Sequence, residues 1–114
     1  MMYSGILKTI DFNKNYNNKL DCECFTTIRI NDPKKKYIPG ETVNVRLNRN
    51  FRCQATIMSN LIYKLSQLDY VITYLDAAMN NDNFYNLMES IYKDHCLWKG
   101  KDTDVCVVLF IKKY

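Results

Sequence analysis

The sequence lacks any long apolar segment. No stretch approaches the roughly 18 consecutive apolar residues that a membrane helix needs. The opening residues 1–8 also lack the apolar segment of a secretory signal. Apolar residues make up 47% of the chain and charged residues 25%, which is the balance of a globular domain. We therefore expect an intracellular protein, cytoplasmic or nuclear, with no membrane partner.

Cysteine and histidine are too few and too irregularly placed to predict a disulfide framework. The five cysteines are odd in number and contain no C-x-x-C pair, whereas secreted scaffolds use an even set. Cys53 and Cys106 lie within apolar runs, where buried free thiols are common. The alternative is a zinc site built from Cys22-x-Cys24 and His95-Cys96, but structural thiols are the favoured interpretation. We expect no metal and no cofactor.

Glycine and proline are also scarce, with three and two copies, so those present mark turns. Pro33 follows Asn31-Asp32 and ends a strand, because proline cannot donate to a β-ladder. Pro39-Gly40 suits a type II turn. The flanking alternation predicts strands at residues 6–12, 25–30, 41–47, 51–58 and 105–111, with 59–65 continuing the fourth in extended form.

The alternation also predicts which side chains are buried. In the second strand, Ile28 and Ile30 should meet the core, while Thr27 and Arg29 share the opposite, outward wall. The third strand should bury Val43, Val45 and Leu47. The whole predicted core comprises Ile28, Ile30, Val43, Val45, Ile57, Val107 and Leu109.

Apolar spacing changes to a helical period before the last strand. The first predicted helix carries Leu68, Val71, Ile72 and Leu75 on its apolar face, and the second carries Phe84, Leu87, Met88, Ile91 and Tyr92. Asp82 or Asn83 is the expected N-cap of the second helix. Residues 13–18 are expected to form either a surface loop or the first turn of a short helix that ends near Cys22. The 114 residues suffice for one domain, residues 1–114, of class α+β: a small barrel of about five to six mostly antiparallel strands with short helices.

Positive charge is concentrated in the first half of the chain. The clusters there are Lys34-Lys35-Lys36, then Arg46, Arg49 and Arg52, with a further pair at Lys112-Lys113, within a net charge of +4. An uneven basic half suggests a partner that carries phosphates, although each cluster alone is also typical of a solvated surface. Tyr37, Tyr63, Tyr70, Tyr74 and Trp98 offer aromatic faces for base stacking, and core packing is the alternative for each.

Several segments in this order resemble the ASCH domain, a member of the PUA-like β-barrels. They are Thr26-Thr27-Ile28-Arg29, Pro39-Gly40-Glu41-Thr42-Val43, Cys53-Gln54-Ala55-Thr56-Ile57, Leu87-Met88-Glu89-Ser90-Ile91-Tyr92 and Val105-Cys106-Val107-Val108-Leu109-Phe110. Within this superfamily the chain is most similar to the small bacterial proteins that hydrolyse N4-acetylcytidine. The resemblance implies a nucleoside pocket between the barrel and its helices.

The hydrolases of that family use a lysine, a threonine and a glutamate. By the resemblance, the threonine position falls on Thr27, the lysine position on Cys24 and the glutamate position on Ala77, with Asp76 beside it. Cys24 as a thiolate and Asp76 as a carboxylate are the candidate replacements. Because two of the three positions differ, the sequence predicts slow or absent hydrolysis of N4-acetylcytidine.

The sequence therefore predicts a protein that binds RNA or a modified nucleoside in a basic, aromatic-lined pocket. The candidate ligand-binding residues are Arg29, Arg46, Arg49, Arg52 and Trp98, and the candidate catalytic residues are Thr27, Cys24 and Asp76. The alternatives are an amidohydrolase acting on an N4-acylated cytidine, or an RNA-processing enzyme, with an altered catalytic site. A protein-interaction module is the second alternative.

Overall fold

The structure is a computed structural model that describes residues 7–113. Its strands are β1 (Lys8–Phe12), β2 (Cys24–Ile30), β3 (Thr42–Leu47), β4 (Asn50–Lys64) and β5 (Asp104–Lys113). Its helices are α1 (Tyr70–Ala77) and α2 (Asn81–Tyr92), with 3₁₀ helices at Tyr16–Asp21 and Leu65–Gln67. The five predicted strands are confirmed, except that Ile6 lies outside the described residues.

The strands form one curled five-stranded sheet, a half-barrel with the order β1-β3-β4-β5-β2. β1 runs parallel to β3 and the other neighbours are antiparallel. The predicted α+β class and small barrel-like architecture are confirmed at this level. As its apolar run predicted, β5 is a central strand between β4 and β2. β1 and β2 are the two edges, so side chains near them can border an open site.

The concave side of the sheet holds the main core, to which every strand contributes. Phe25 of β2 stacks on Phe110 of β5 with ring centroids 5.1 Å apart, and Phe12 of β1 meets Phe25 edge-on at 6.2 Å. Val43, Val45 and Ile57 are buried here as predicted. Leu47 is only partly buried against this core.

Two predictions about strand faces are wrong. Ile28 is buried as expected, but Thr27 on the opposite face is only 4% exposed, because the sheet curls and covers the face predicted to look outward. In β5 the predicted core residues Val107 and Leu109 are half-buried. The alternate residues Cys106, Val108 and Phe110 fill the concave core instead.

The helices cover the outer face of β2 and β5 and form a second core. Ile28 and Val105 pack there against Leu65, Leu68, Ala77, Phe84 and Met88. α2 is capped by Asn80, whose side chain accepts from the backbone N–H of Asn83 at 2.8 Å. The predicted caps Asp82 and Asn83 lie within the helix. No helix within residues 7–113 is long and apolar enough to cross a membrane.

α1 buries only part of the face that its apolar spacing predicted: Leu68 and Ile72 pack in the second core. Val71 and Leu75 are 49% and 63% exposed, whereas Thr73 and Asp76 are buried. The Thr73 hydroxyl bonds to the carbonyls of Tyr70 and Met79 and to the Asn81 side chain. One oxygen of the Asp76 carboxylate accepts from the side chains of Lys19 and Thr26. Because these polar groups find partners inside, the helix is rotated so that Val71 and Leu75 face outward.

Candidate functional site

An open cavity of about 370 Å³ lies where the two edges of the half-barrel approach α2. β1 ends at its rim, the first 3₁₀ helix forms one wall, and α2 forms the opposite wall. The lining residues are Asp11, Phe12, Asn13, Lys14, Tyr16, Lys19, Thr27, Ile28, Arg29, Asp76, Ala77, Phe84, Leu87, Met88, Ile91 and Tyr92. The cavity thus combines aromatic and aliphatic walls with a small polar group of side chains, as ligand sites commonly do.

A buried ion pair joins the first 3₁₀ helix to α1 at this cavity. Lys19 Nζ lies 2.9 Å from Asp76 Oδ1, and the two side chains are only 6% and 7% exposed. Thr26 Oγ1 donates to the same carboxylate oxygen at 2.9 Å. Lys19 and Thr26 both donate to Oδ1 of Asp76, and a carboxylate has about four lone-pair sites. Asp76 Oδ2 can therefore accept a hydrogen bond from a ligand.

The local chain geometry explains how Lys19 reaches the site. Asn17 and Asn18 both have positive φ, a conformation that asparagine tolerates better than most residues. The Asn15 side chain accepts from the Leu20 backbone N–H at 2.8 Å. Leu20 is fully buried in the main core. This tight double turn, anchored by Leu20, directs the neighbouring Lys19 inward.

Arg29 links the threonine of the site to β1. Its Nε donates to Thr27 Oγ1 at 3.1 Å, and its Nη2 donates to the backbone carbonyl of Asp11 at 2.6 Å. The guanidinium carbon lies 5.0 Å from the centroid of the Phe12 ring, and Lys19 Nζ lies 5.2 Å from the same centroid. Two cations thus lie close to one aromatic ring, an arrangement that the ring quadrupole favours.

Burial sets the acid–base character of Lys19. Loss of hydration lowers the pKa of Lys19 below its usual 10.5, the positive Arg29 guanidinium lowers it further, and Asp76 opposes the shift. Burial raises the pKa of Tyr92, which lines the same cavity. A lysine with a lowered pKa holds a larger fraction of neutral amine near neutral pH, and only the neutral amine can accept a proton.

The structure brings three of the predicted site residues together. Thr27, Arg29 and Asp76 line the cavity, and so does Ala77. Cys24, the other candidate catalytic residue, is exposed at the first position of β2 and is not among the lining residues. The position of Cys24 therefore gives it no contact with a ligand in the cavity.

The remaining predicted ligand-binding residues lie elsewhere. Arg46 Nε and Nη2 contact the two carboxylate oxygens of Asp11 at 2.7 and 3.1 Å, and Arg52 pairs with Asp21. Arg49 lies in the β3–β4 turn with a φ of 68°. Trp98 packs against Tyr85, with ring centroids 5.8 Å apart, beside the second core. Two of the three predicted arginines are therefore engaged by carboxylates of the same chain.

Sequence reasoning missed Lys19. It stands eight residues before Thr27, within a polar, asparagine-rich segment that resembles an ordinary surface loop. The resemblance to the hydrolases could have pointed to Lys19, because it implies a lysine shortly before the threonine in the sequence. Matching by sequence spacing placed that position on Cys24, because spacing alone does not show how the 3₁₀ turns fold back over β2.

The described residues contain no cluster of three or more histidine, cysteine or acidic side chains that would hold a metal ion. All five cysteines are free thiols, and burial raises the pKa of Cys53 and of Cys106. The polar groups that line the cavity are hydroxyl, amine, carboxylate, guanidinium and amide groups.

Comparison with known proteins identifies the fold alone. No protein-family model and no curated protein sequence matches this chain. The chain is similar in structure to protein EF3133 from Enterococcus faecalis V583, a crystal structure assigned to the family model DUF984. The TM-score is 0.70, with 7% sequence identity over 94% of this chain and 80% of that chain. The curled sheet with helices over one face is thus shared with a protein of very different sequence.

Proposed function

We propose that the cavity binds a modified nucleoside, either free or as one unit of RNA. The observation that supports this most strongly is the convergence of Lys19, Thr27 and Asp76 in a cavity walled by aromatic and apolar side chains. Aromatic faces such as Tyr16 and Tyr92 suit the flat apolar surface of a base. The resemblance to ASCH domains points to the same class of ligand.

The polar groups match the needs of a base with an exocyclic amide. Asp76 Oδ2 can accept an N–H from the ligand, and the Arg29 guanidinium can donate to a carbonyl oxygen. Thr27 supplies a hydroxyl, whose oxygen accepts from the Arg29 Nε at 3.1 Å. N4-acetylcytidine presents an amide carbonyl on a cytosine ring and is the natural first probe.

Replacing Arg29 by methionine should weaken binding of N4-acetylcytidine by about 10- to 100-fold. The reason is that a hydrogen bond to a charged group contributes about 1.5–3 kcal/mol. Isothermal titration calorimetry measures the change, and Arg49→Met is the matched control because Arg49 is exposed and does not line the cavity. Equal losses in the two variants would contradict the assignment of Arg29 to the ligand.

Hydrolysis of the N4-acyl group is the second candidate function. It is favoured by one observation: a buried lysine of lowered pKa, a threonine and a carboxylate line the same cavity. Threonine becomes a useful nucleophile when a neighbouring base takes its proton. Lys19 fills the role that the sequence left open when the family's lysine position fell on Cys24.

The corresponding reaction has two steps. The neutral Lys19 amine takes the Thr27 hydroxyl proton as Oγ1 attacks the amide carbon, and Arg29 Nε stabilises negative charge on Oγ1. The C–N bond then breaks, the proton passes from Lys19 to the departing N4 nitrogen, and the acyl group stays on Thr27 as an ester. Water hydrolyses this ester, which releases the carboxylic acid and restores the threonine. Asp76 orients the Lys19 amine throughout.

This mechanism predicts that hydrolysis becomes faster as the pH rises. The protonated ammonium of Lys19 has no lone pair, so kcat/KM should increase as Lys19 loses its proton, with an apparent pKa below the usual 10.5. The measurement is acetate release from N4-acetylcytidine between about pH 6 and 10. A rate that fell across this range would show that Lys19 is not the base.

A further inference from the structure

We call the cavity of about 370 Å³ that is proposed to bind the nucleoside the nucleoside cavity. A second, larger cavity adjoins it on the other side of Arg29. Its volume is about 590 Å³, and it lies between β1 and the loop that follows β2. Five of its twelve lining residues are cationic, with Asp11 as the one carboxylate among the twelve: Lys8, Arg29, Lys34, Lys35 and Lys36. We call it the basic cavity.

The carboxylates near the basic cavity are already paired. Asp11 is held by two nitrogens of Arg46, and this hydrogen-bonded pair lowers the pKa of Asp11. Glu41 pairs with Lys8 at 2.9 Å. Within residues 7–113, no acidic side chain lies within 4.0 Å of the amines of Lys34, Lys35 or Lys36. The three consecutive lysines thus provide positive charge for an external anion.

The lysine loop has a defined shape. The Asp32 side chain accepts from the Lys34 backbone N–H at 2.9 Å, and the Asp32 carbonyl accepts from the Lys35 backbone N–H at 2.9 Å. Lys8 Nζ donates to the Lys36 carbonyl at 3.2 Å, which ties the end of the loop to β1. These bonds hold the loop over the cavity.

The two cavities meet at Arg29 and Asp11, which line both. Arg29 donates to Thr27 on the nucleoside side. On the other side Arg29 lies near Tyr37, where its positive charge opposes the rise in the pKa of Tyr37 that burial causes. A ligand that reaches past Arg29 therefore enters the basic cavity directly.

We propose that the basic cavity binds the sugar-phosphate backbone beside the nucleoside, so that the substrate is single-stranded RNA rather than a free nucleoside. This rests on the proposed nucleoside site. The volume of 590 Å³ falls within the roughly 300–1,000 Å³ of sites for whole small ligands. Lysines serve as point charges for phosphate. The arginines of the β3–β4 hairpin are poorer candidates, because Arg46 and Arg52 are paired with Asp11 and Asp21.

The test compares three probes: N4-acetylcytidine, its 5′-monophosphate, and a short single-stranded RNA with one N4-acetylcytidine. The test variant is Lys34→Gln, Lys35→Gln and Lys36→Gln combined. The control variant carries Lys93→Gln, Lys99→Gln and Lys113→Gln, which remove the same charge at exposed positions outside both cavities. Binding is measured by calorimetry over a range of salt concentrations.

The wild type should bind the RNA at least about tenfold more tightly than the nucleoside at low salt, because each phosphate contact releases counterions. The test variant should lose most of this gain, and the slope of log affinity against log salt should fall by up to about 2, at about 0.7 per contact. Its affinity for the nucleoside should be unchanged. The control variant should change the RNA affinity less than about threefold.

Equal wild-type affinities for the RNA and the nucleoside would overturn the proposal, as would equal losses in the test and control variants. A monophosphate bound as tightly as the RNA would also overturn the assignment of a polynucleotide substrate. The nucleoside arm reports on the proposed function separately. If the nucleoside alone fails to bind while the RNA arm behaves as expected, the proposed nucleoside site is wrong and phosphate binding in the basic cavity is supported.

Discussion

Replacing Thr27 by valine is expected to reduce hydrolysis of N4-acetylcytidine by at least about a thousandfold, the scale on which hydrolases lose rate when a nucleophile is removed. Valine keeps the shape of the buried side chain but has no hydroxyl to attack the amide carbon. The Arg29 Nε–H loses its acceptor, which is a small cost because Arg29 also bonds to the Asp11 carbonyl. Acetate release under saturating substrate is the measurement.

Cys24→Ser is the decisive companion variant. Cys24 is exposed and does not line the cavity, so its replacement should leave the hydrolysis rate within about twofold of wild type. If hydrolysis is lost in Cys24→Ser and kept in Thr27→Val, a thiolate at Cys24 is the catalytic group and the assignment of Thr27 and Lys19 is wrong.

Replacing Asp76 by alanine should lower the free energy of unfolding by about 3–5 kcal/mol, because it leaves the Lys19 ammonium buried without its partner. Urea unfolding followed by circular dichroism measures the change. Because burial lowers the pKa of Lys19, the unfolded chain binds more protons than the folded one between that lowered pKa and 10.5. The stability of Asp76→Ala should therefore rise with pH over this interval.

The double variant Lys19→Met with Asp76→Leu separates the ion pair from the packing around it. Replacing both members of a buried pair by apolar residues of similar size is often neutral or stabilising. The double variant should therefore be more stable than Asp76→Ala, although it should lose hydrolysis. A double variant as unstable as Asp76→Ala would show that the loss comes from packing rather than from the uncompensated charge.

Strand positions were predictable because alternation is a local property of the sequence. Residues 25–30 and 41–47 alternate cleanly, and β2 and β3 lie there. Which face of a strand is buried was harder to predict in β2, because the concave core covers one face and the helices cover the other. Thr27 is buried by the curl of the sheet, which depends on contacts between residues far apart in the chain.

The orientation of α1 and the position of Lys19 were also not predictable from local sequence patterns. Apolar spacing predicted that Val71 and Leu75 face inward, but buried hydrogen bonds to Thr73 and the ion pair to Asp76 outweigh that pattern. Lys19 lies 57 positions from Asp76, and no periodicity links the two. Both misplacements arise from paired polar groups, whose partners a single sequence does not reveal.

The most direct test of the central claim is an NMR titration of the ¹⁵N-labelled protein with N4-acetylcytidine. The account predicts that backbone shifts concentrate at residues lining the nucleoside cavity, such as Thr27, Ile28, Ala77 and Met88. The loop at Lys101-Asp102, which contributes no residue to the cavity lining, should be unaffected. Shifts confined to that loop, or no shifts at millimolar nucleoside, would contradict a nucleoside site in this cavity.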